Sequence, residues 1–251
     1  MLDFNSQSEF LEEKGRFFRK NTYFTLNNNG IINRKEFNNI IPLSVYTDDI
    51  QKFINYSMEF YNESEDKEIR KISRMTTEKD EKLDKNMLKL IAKGSYKHVL
   101  PYCKEMYFRD ENKFFKTLFN YVLMDNMDFN KGIQVYSMRE YFKKYGYVDI
   151  VMDLVICFVT KMRSDFHDFE YACESLVSKE ELKEKIMNNK EKFMTKEGFK
   201  IVSYFKVLNS FEYQEEKKYI SILVKKIDEF NEKNQKTIDE IEREILTKLF
   251  I

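Results

Sequence analysis

The sequence predicts an all-α fold of antiparallel helical hairpins, with a short β-hairpin near the N-terminus and a long amphipathic helix at the C-terminus. Three observations carry this. The 251 residues include only 6 glycines and 2 prolines, whereas sheet architectures need many turns rich in both. Apolar residues recur at steps of three and four along most of the chain. Capping residues stand in front of several of these runs. A hydrophobic fraction of 42% beside 34% charge makes the chain globular, with enough length for one large domain or two small ones.

Residues 8–20 read as a short helix with Phe10, Leu11, Phe17 and Phe18 on one side. The stretch TLNNNGIINRKEF (25–37) admits two readings. With Glu36 as the twelfth position of a calcium loop, Asn27, Asn29, Gly30 and Asn33 fall on ligand or turn positions. Thr25 then stands where a carboxylate belongs, one charged ligand remains, and Pro42 cuts the exit helix short. The better reading is a hairpin turning at Asn29-Gly30, two residues that tolerate positive φ, and no metal is expected. A helix over 47–62 starts on Thr47, with Asp48 and Asp49 in its first turn. The segment 63–82 is dense in charge and reads as a linker or a solvated helical face, so a boundary near 76 divides 1–76 from a helical domain 77–251, unless the chain is one continuous domain.

Helices follow over 78–93, stopped by Gly94, and over 96–107, 110–125, 134–145 and 147–163, with Gly146 between the last two. Residues 113–129 laid over 150–166 match in apolar positions, Phe114 on Val151 and Leu118 on Val155 among them. That period suits a helix-pair repeat, without the signature residues of known repeat families. Ser178 and Glu181 form a capping box, and Thr195 opens the next helix. Near the end, Ile220, Leu223, Ile227, Phe230, Ile238, Ile241, Ile245 and Leu249 form a heptad-like seam with a stutter at Asn234. As one helix it is a candidate surface for a partner or a homodimer, through Ile220, Leu223, Ile227, Phe230, Ile241 and Ile245. A second capping box, Thr237-x-x-Glu240, would instead break it near 236.

Composition removes several functions. Acids and bases balance at 43 each, so no overall charge attracts nucleic acid or an anionic membrane. The N-terminus lacks the apolar run of a signal peptide, and the longest apolar stretch, 147–159, is short and holds Asp149 and Asp153. Cys103, Cys157 and Cys173 are sparse and far apart, which reads as reduced thiols in a cytoplasmic protein. The bias toward Lys, Asn, Ile, Phe and Tyr reads as AT-rich coding, such as a mobile element of a low-GC bacterium. Gly-rich phosphate loops, G-x-S-x-G and HExxH are all missing.

Two motifs touch on chemistry. Lys14, Arg16, Phe17, Phe18, Arg19 and Lys20 interleave cations with rings, a pattern that grips single-stranded nucleic acid; at helical spacing the same rings belong to a core. Arg163-Ser-Asp-Phe-His167 places a cation and an imidazole four apart, on one face if the segment is helical. It resembles the Arg…His pair of HEPN ribonucleases, with three residues between the pair where that family has at least four. His167-Asp168 also invites comparison with metal-dependent HD phosphohydrolases, but His98 alone remains to supply a second imidazole. The resemblance implies an RNA-directed function as the alternative. The leading expectation is a non-catalytic binding protein of inhibitor, immunity or adaptor type. It has no cofactor, and Phe and Tyr anchors ringed by charge contact another protein.

Overall fold

The apolar run around residue 155 becomes a helix whose residues 150–160 are all buried. In the computed structural model, residues 4–19, 23–26, 28–34, 36–63, 75–230 and 236–251 are described. The architecture is all-α. Helices cover most of the described chain, beside one two-stranded antiparallel hairpin. The chain forms two compact units, residues 1–117 with 137–163, and residues 118–136 with 164–251.

The first unit holds α1 (Gln7–Lys14), a 3-10 turn (Gly15–Phe18), β1 (Phe24–Leu26), β2 (Ile32–Arg34), α2 (Ile40–Tyr46) and α3 (Ile50–Met58). It continues with α4 (Asp80–Ala92), α5 (Tyr96–Arg109) and α8 (Asp149–Lys161). Two further helices, α6 (Glu111–Met124) and α7 (Lys131–Tyr145), each have one end in this unit and the other in the second. The unit boundaries fall inside α6, inside α7 and between residues 163 and 164; most of the charged stretch near the expected boundary, 64–74, lies outside the described residues.

α8 is the hub, packed by α1, the 3-10 turn, α4 and α5. The predicted helix over 8–20 is shorter than expected. α1 is capped by the Ser6 side chain and tightens into a 3-10 turn at Gly15. There the backbone approaches α8 so closely that a Cβ on Gly15 would stand 2.5 Å from Ile150. The sequence reading missed α2, because Pro42 looked like a stop. It occupies the first turn of α2, where no N–H is needed. α3 starts later than predicted, capped by Asp49 and not Thr47. The hairpin pairs Phe24 with Arg34, Thr25 with Asn33 and Leu26 with Ile32. Among the described residues of its loop only Gly30 has positive φ, at 76°, so the turn is longer than a two-residue Asn-Gly turn.

The second unit contains α9 (His167–Glu170), α10 (Lys179–Met187), α11 (Lys196–Leu208), α12 (Glu216–Asp228) and α13 (Glu240–Leu249), with α11 against α12 and α13. The Ser178–Glu181 capping box and the Thr195 cap are both formed. The long C-terminal helix of the sequence reading is corrected to two helices. Thr237 pairs with Thr195 in an isolated antiparallel bridge, and the Lys236 carbonyl accepts from the Lys196 N–H. The capping box there is Asp239–Glu242, two residues beyond the expected one. Lys196 pairs with the buried Glu242 and helps hold α13 on α11. The echo between 113–129 and 150–166 lays α6 on α8, but no even array follows, since α9 has four residues and 172–178 is non-helical.

Burial of tyrosines sets an expected alkaline limit. It pushes the Tyr121 and Tyr141 phenols up to about 12, and raises Tyr96, Tyr147, Tyr204 and Tyr219 further. Each folded value lies above the ordinary 10 of an exposed phenol, so the unfolded chain loses these protons first. Their contribution to stability is complete below pH ~10 and is lost as the pH rises from there. Phenolate absorbance should first rise gradually from exposed rings, then in a step that coincides with loss of helical circular dichroism. A smooth titration with helicity intact would contradict the burial.

Candidate protein-interaction surface

The C-terminal turn of α5 carries Tyr107 and Phe108, and the end of α7 carries Phe142. Gly146, at φ 81°, reverses the chain and delivers Tyr147 beside them. Tyr107 stacks on Tyr147 with centroids 4.9 Å apart, and Phe108 tilts against Tyr147 at 4.7 Å. Phe142 supports both tyrosines at 5.2 Å. Phe108 is nevertheless 52% exposed, an aromatic ring set on an aromatic platform.

The platform is pinned from below. The Tyr147 hydroxyl donates to Asp149 Oδ1 at 2.6 Å, and the same oxygen lies 2.7 Å from Nζ of the buried Lys104. Burial and then the Asp149 carboxylate hold the Tyr147 phenol far above its usual value, so it remains a donor. Burial and Glu111 likewise raise Tyr107. Exposed Asp110 and Glu111 closely follow Phe108 in the chain and supply an acidic rim, with Glu111 acting on Tyr107. Rings locked in this way lose little rotamer freedom on binding.

The sequence reading did not single out Phe108. A signal existed: Val99, Cys103 and Met106 mark the buried stripe of α5, and Phe108 stands off it. What could not be read was Tyr147 meeting Tyr107.

The basic N-terminal cluster is not arranged for stacking bases. Phe17 and Phe18 are buried against Tyr61, and Arg19 is buried with Asp153, Nη1 to Oδ2 3.3 Å. Lys14 pairs with Glu13, Arg16 lies over the Phe17 ring, and Lys20 is outside the described residues. The helical spacing of the rings placed them in the core. The C-terminal seam is used internally too. Ile220, Leu223, Ile227 and Ile245 are buried in their own unit, Ile241 is half-buried, and Phe230 is half-buried against Phe193. A homodimer or partner face along it is therefore not presented.

Arg163 and His167 do not share a helix. α8 ends at Lys161 and α9 begins at His167 with non-helical backbone between, so the i, i+4 geometry is not formed. Both are exposed, His167 lies against Tyr171, and His98 is paired with Ser95 on α5. Thr25 and Asn33, the first and ninth positions of the notional calcium loop, are paired across the hairpin. Among the described residues no group of three or more His, Cys, Asp or Glu is placed to hold a metal ion. Cys103 and Cys157 are buried, whereas Cys173 is exposed in the non-helical stretch after α9.

The second unit contains a buried polar cluster. Lys131 pairs with Asp125 and reaches Ser164 Oγ at 3.2 Å, which also bonds Tyr121 Oη at 2.5 Å. Asp125 Oδ1 accepts from the Asn126 and Asp165 N–H groups, at 2.8 and 2.7 Å. Burial lowers the Lys131 ammonium below its ordinary range, against the pull of Asp125. Beside it, Asn126, Asn130, Lys131, Gly132, Ser203 and Tyr204 line part of a small cavity. With its cation and anion paired, the cluster fastens the α6–α7 turn to residues 164–165 and forms no open site.

No family model, curated protein or solved structure matches the chain. Among the described residues no helix is long and apolar enough to cross a membrane.

Proposed function

We propose that the chain is a non-catalytic binding protein, of inhibitor, immunity or adaptor type, that contacts another protein through the Phe108 platform. The observation that supports this most is a half-exposed phenylalanine on rings already stacked and pinned by Tyr147–Asp149–Lys104. Binding hot spots have this form: an aromatic anchor at the centre and a polar rim that excludes water. Removing such an anchor weakens binding on the order of 30-fold, the equivalent of ~2 kcal/mol.

The test compares tagged wild type with Phe108→Ala in capture from extracts of the source cells, with quantitative mass spectrometry. One protein should be enriched by wild type and strongly depleted with the variant. The melting temperature of the variant should stay close to that of wild type, because the ring is largely outside the core. Equal enrichment by both chains would remove the platform as the contact.

A further inference from the structure

We infer that the partner presents a basic segment to this platform, with an arginine or lysine lying on the Phe108 ring and its charge facing the acidic rim. This rests on the protein-binding reading and adds the chemistry of what is bound.

Two independent observations carry it. The first is where the chain spends its own cations. Arg16 lies over Phe17, Lys144 over Tyr145, Lys161 over Tyr96, Lys190 over Phe250 and Lys218 over Phe169, at 4.8–5.9 Å. Over Phe108, Tyr107 and Tyr147 there is no such cation among the described residues, although Phe108 is the exposed ring of the group. The negative ring face is a preferred seat for a guanidinium or ammonium.

The second observation is the charge around that seat. Three nearby cations are paired. Lys104 is held by Asp149, Arg109 by Glu105 and Asp80, and Lys113 by Asp84 and Asp80. Asp110 and Glu111 have no lysine or arginine partner among the described residues, and Glu111 is close enough to raise the Tyr107 phenol. Asp110 Oδ1 caps α6 through the Lys113 N–H, which fixes the carboxylate in place. Carboxylates beside an uncovered ring match arginine best, because its flat guanidinium stacks and pairs at once. An acidic segment would meet repulsion here, and a purely apolar one would leave the rim without a function.

The probe is nona-arginine, titrated calorimetrically into the full chain at near-physiological salt, with nona-glutamate as the control. Nona-arginine should bind, and Phe108→Ala should weaken it about tenfold. The double variant Asp110→Asn, Glu111→Gln should weaken it by a similar factor, since asparagine preserves the helix cap. Added salt should weaken the wild-type interaction. Nona-glutamate should not bind. The inference is overturned if nona-arginine fails to bind, if it binds Phe108→Ala as well as wild type, or if the carboxylate variants leave it unchanged. Each result is distinct from failure of the protein-binding reading, because Phe108-dependent capture from extracts would still stand with a partner of other chemistry.

Discussion

Replacing Gly198 by alanine should cost the second unit about 3 kcal/mol or more, the upper range for overpacking a tight site. A Cβ at this position would stand 2.0 Å from the Phe193 carbonyl oxygen, 2.5 Å from its carbon and 2.6 Å from its Cα. These are backbone atoms, so no rotamer change can relieve the clash. Nor can the two strands of chain separate easily. The Gly198 N–H is the donor to the Thr195 cap at 3.0 Å, and Phe193 is buried against Phe230. Urea unfolding followed by circular dichroism provides the measurement. Gly132→Ala is the control, since its Cβ would meet the Ser203 carbonyl carbon at an ordinary 3.6 Å. It should stay within about 1 kcal/mol of wild type. If both variants unfold at the same urea concentration, the close approach of α11 to residue 193 is wrong.

The second large effect is expected at Asp125. Asp125→Ala should destabilise by about 3–5 kcal/mol, the cost of leaving a buried charge without its partner. Lys131 would be left in an apolar setting without its carboxylate, and the Asn126 and Asp165 N–H groups would lose their acceptor. Lys131→Met should cost less, because Asp125 would still accept from both N–H groups. The pH dependence gives a signature. Burial already holds the Lys131 ammonium low in the folded state, and loss of Asp125 lowers it further. The unfolded chain then binds the extra proton, so the stability of Asp125→Ala rises with pH. The deficit should narrow as the pH rises toward the ordinary lysine range of about 10, while Lys131→Met shows no such recovery.

Much of the helical architecture is legible because it rests on spacing. The run that becomes α8, the Ser178–Glu181 box and the Thr195 cap are all local signals. Where local signals conflict, distant contacts decide. Asp149 and Asp153 sit in the most apolar stretch because Lys104 and Arg19 come to them from other elements, which no window around residue 150 contains. The C-terminal seam has a continuous apolar period, yet Lys196 and Thr195 draw residues 236–242 back onto α11. Pro42 carries opposite meanings at the first turn and in the interior of a helix, and sequence alone does not say which applies. The platform shows the same limit. Phe108 is visible as an aromatic off the buried stripe, but its support depends on a glycine reversal placing Tyr147 against Tyr107.

The interleaving of the two units along the chain has a consequence for biosynthesis. Residues 137–163 complete the first unit before any of α9–α13 has left the ribosome. Residues 118–136, which carry Leu118, Phe119, Tyr121, Val122 and Leu123, emerge earlier and belong to the unit that finishes last. A nascent chain of intermediate length therefore displays an apolar loop whose packing partners are not yet translated, the kind of surface that chaperones bind. For the same reason no single cut in the gene separates the two halves.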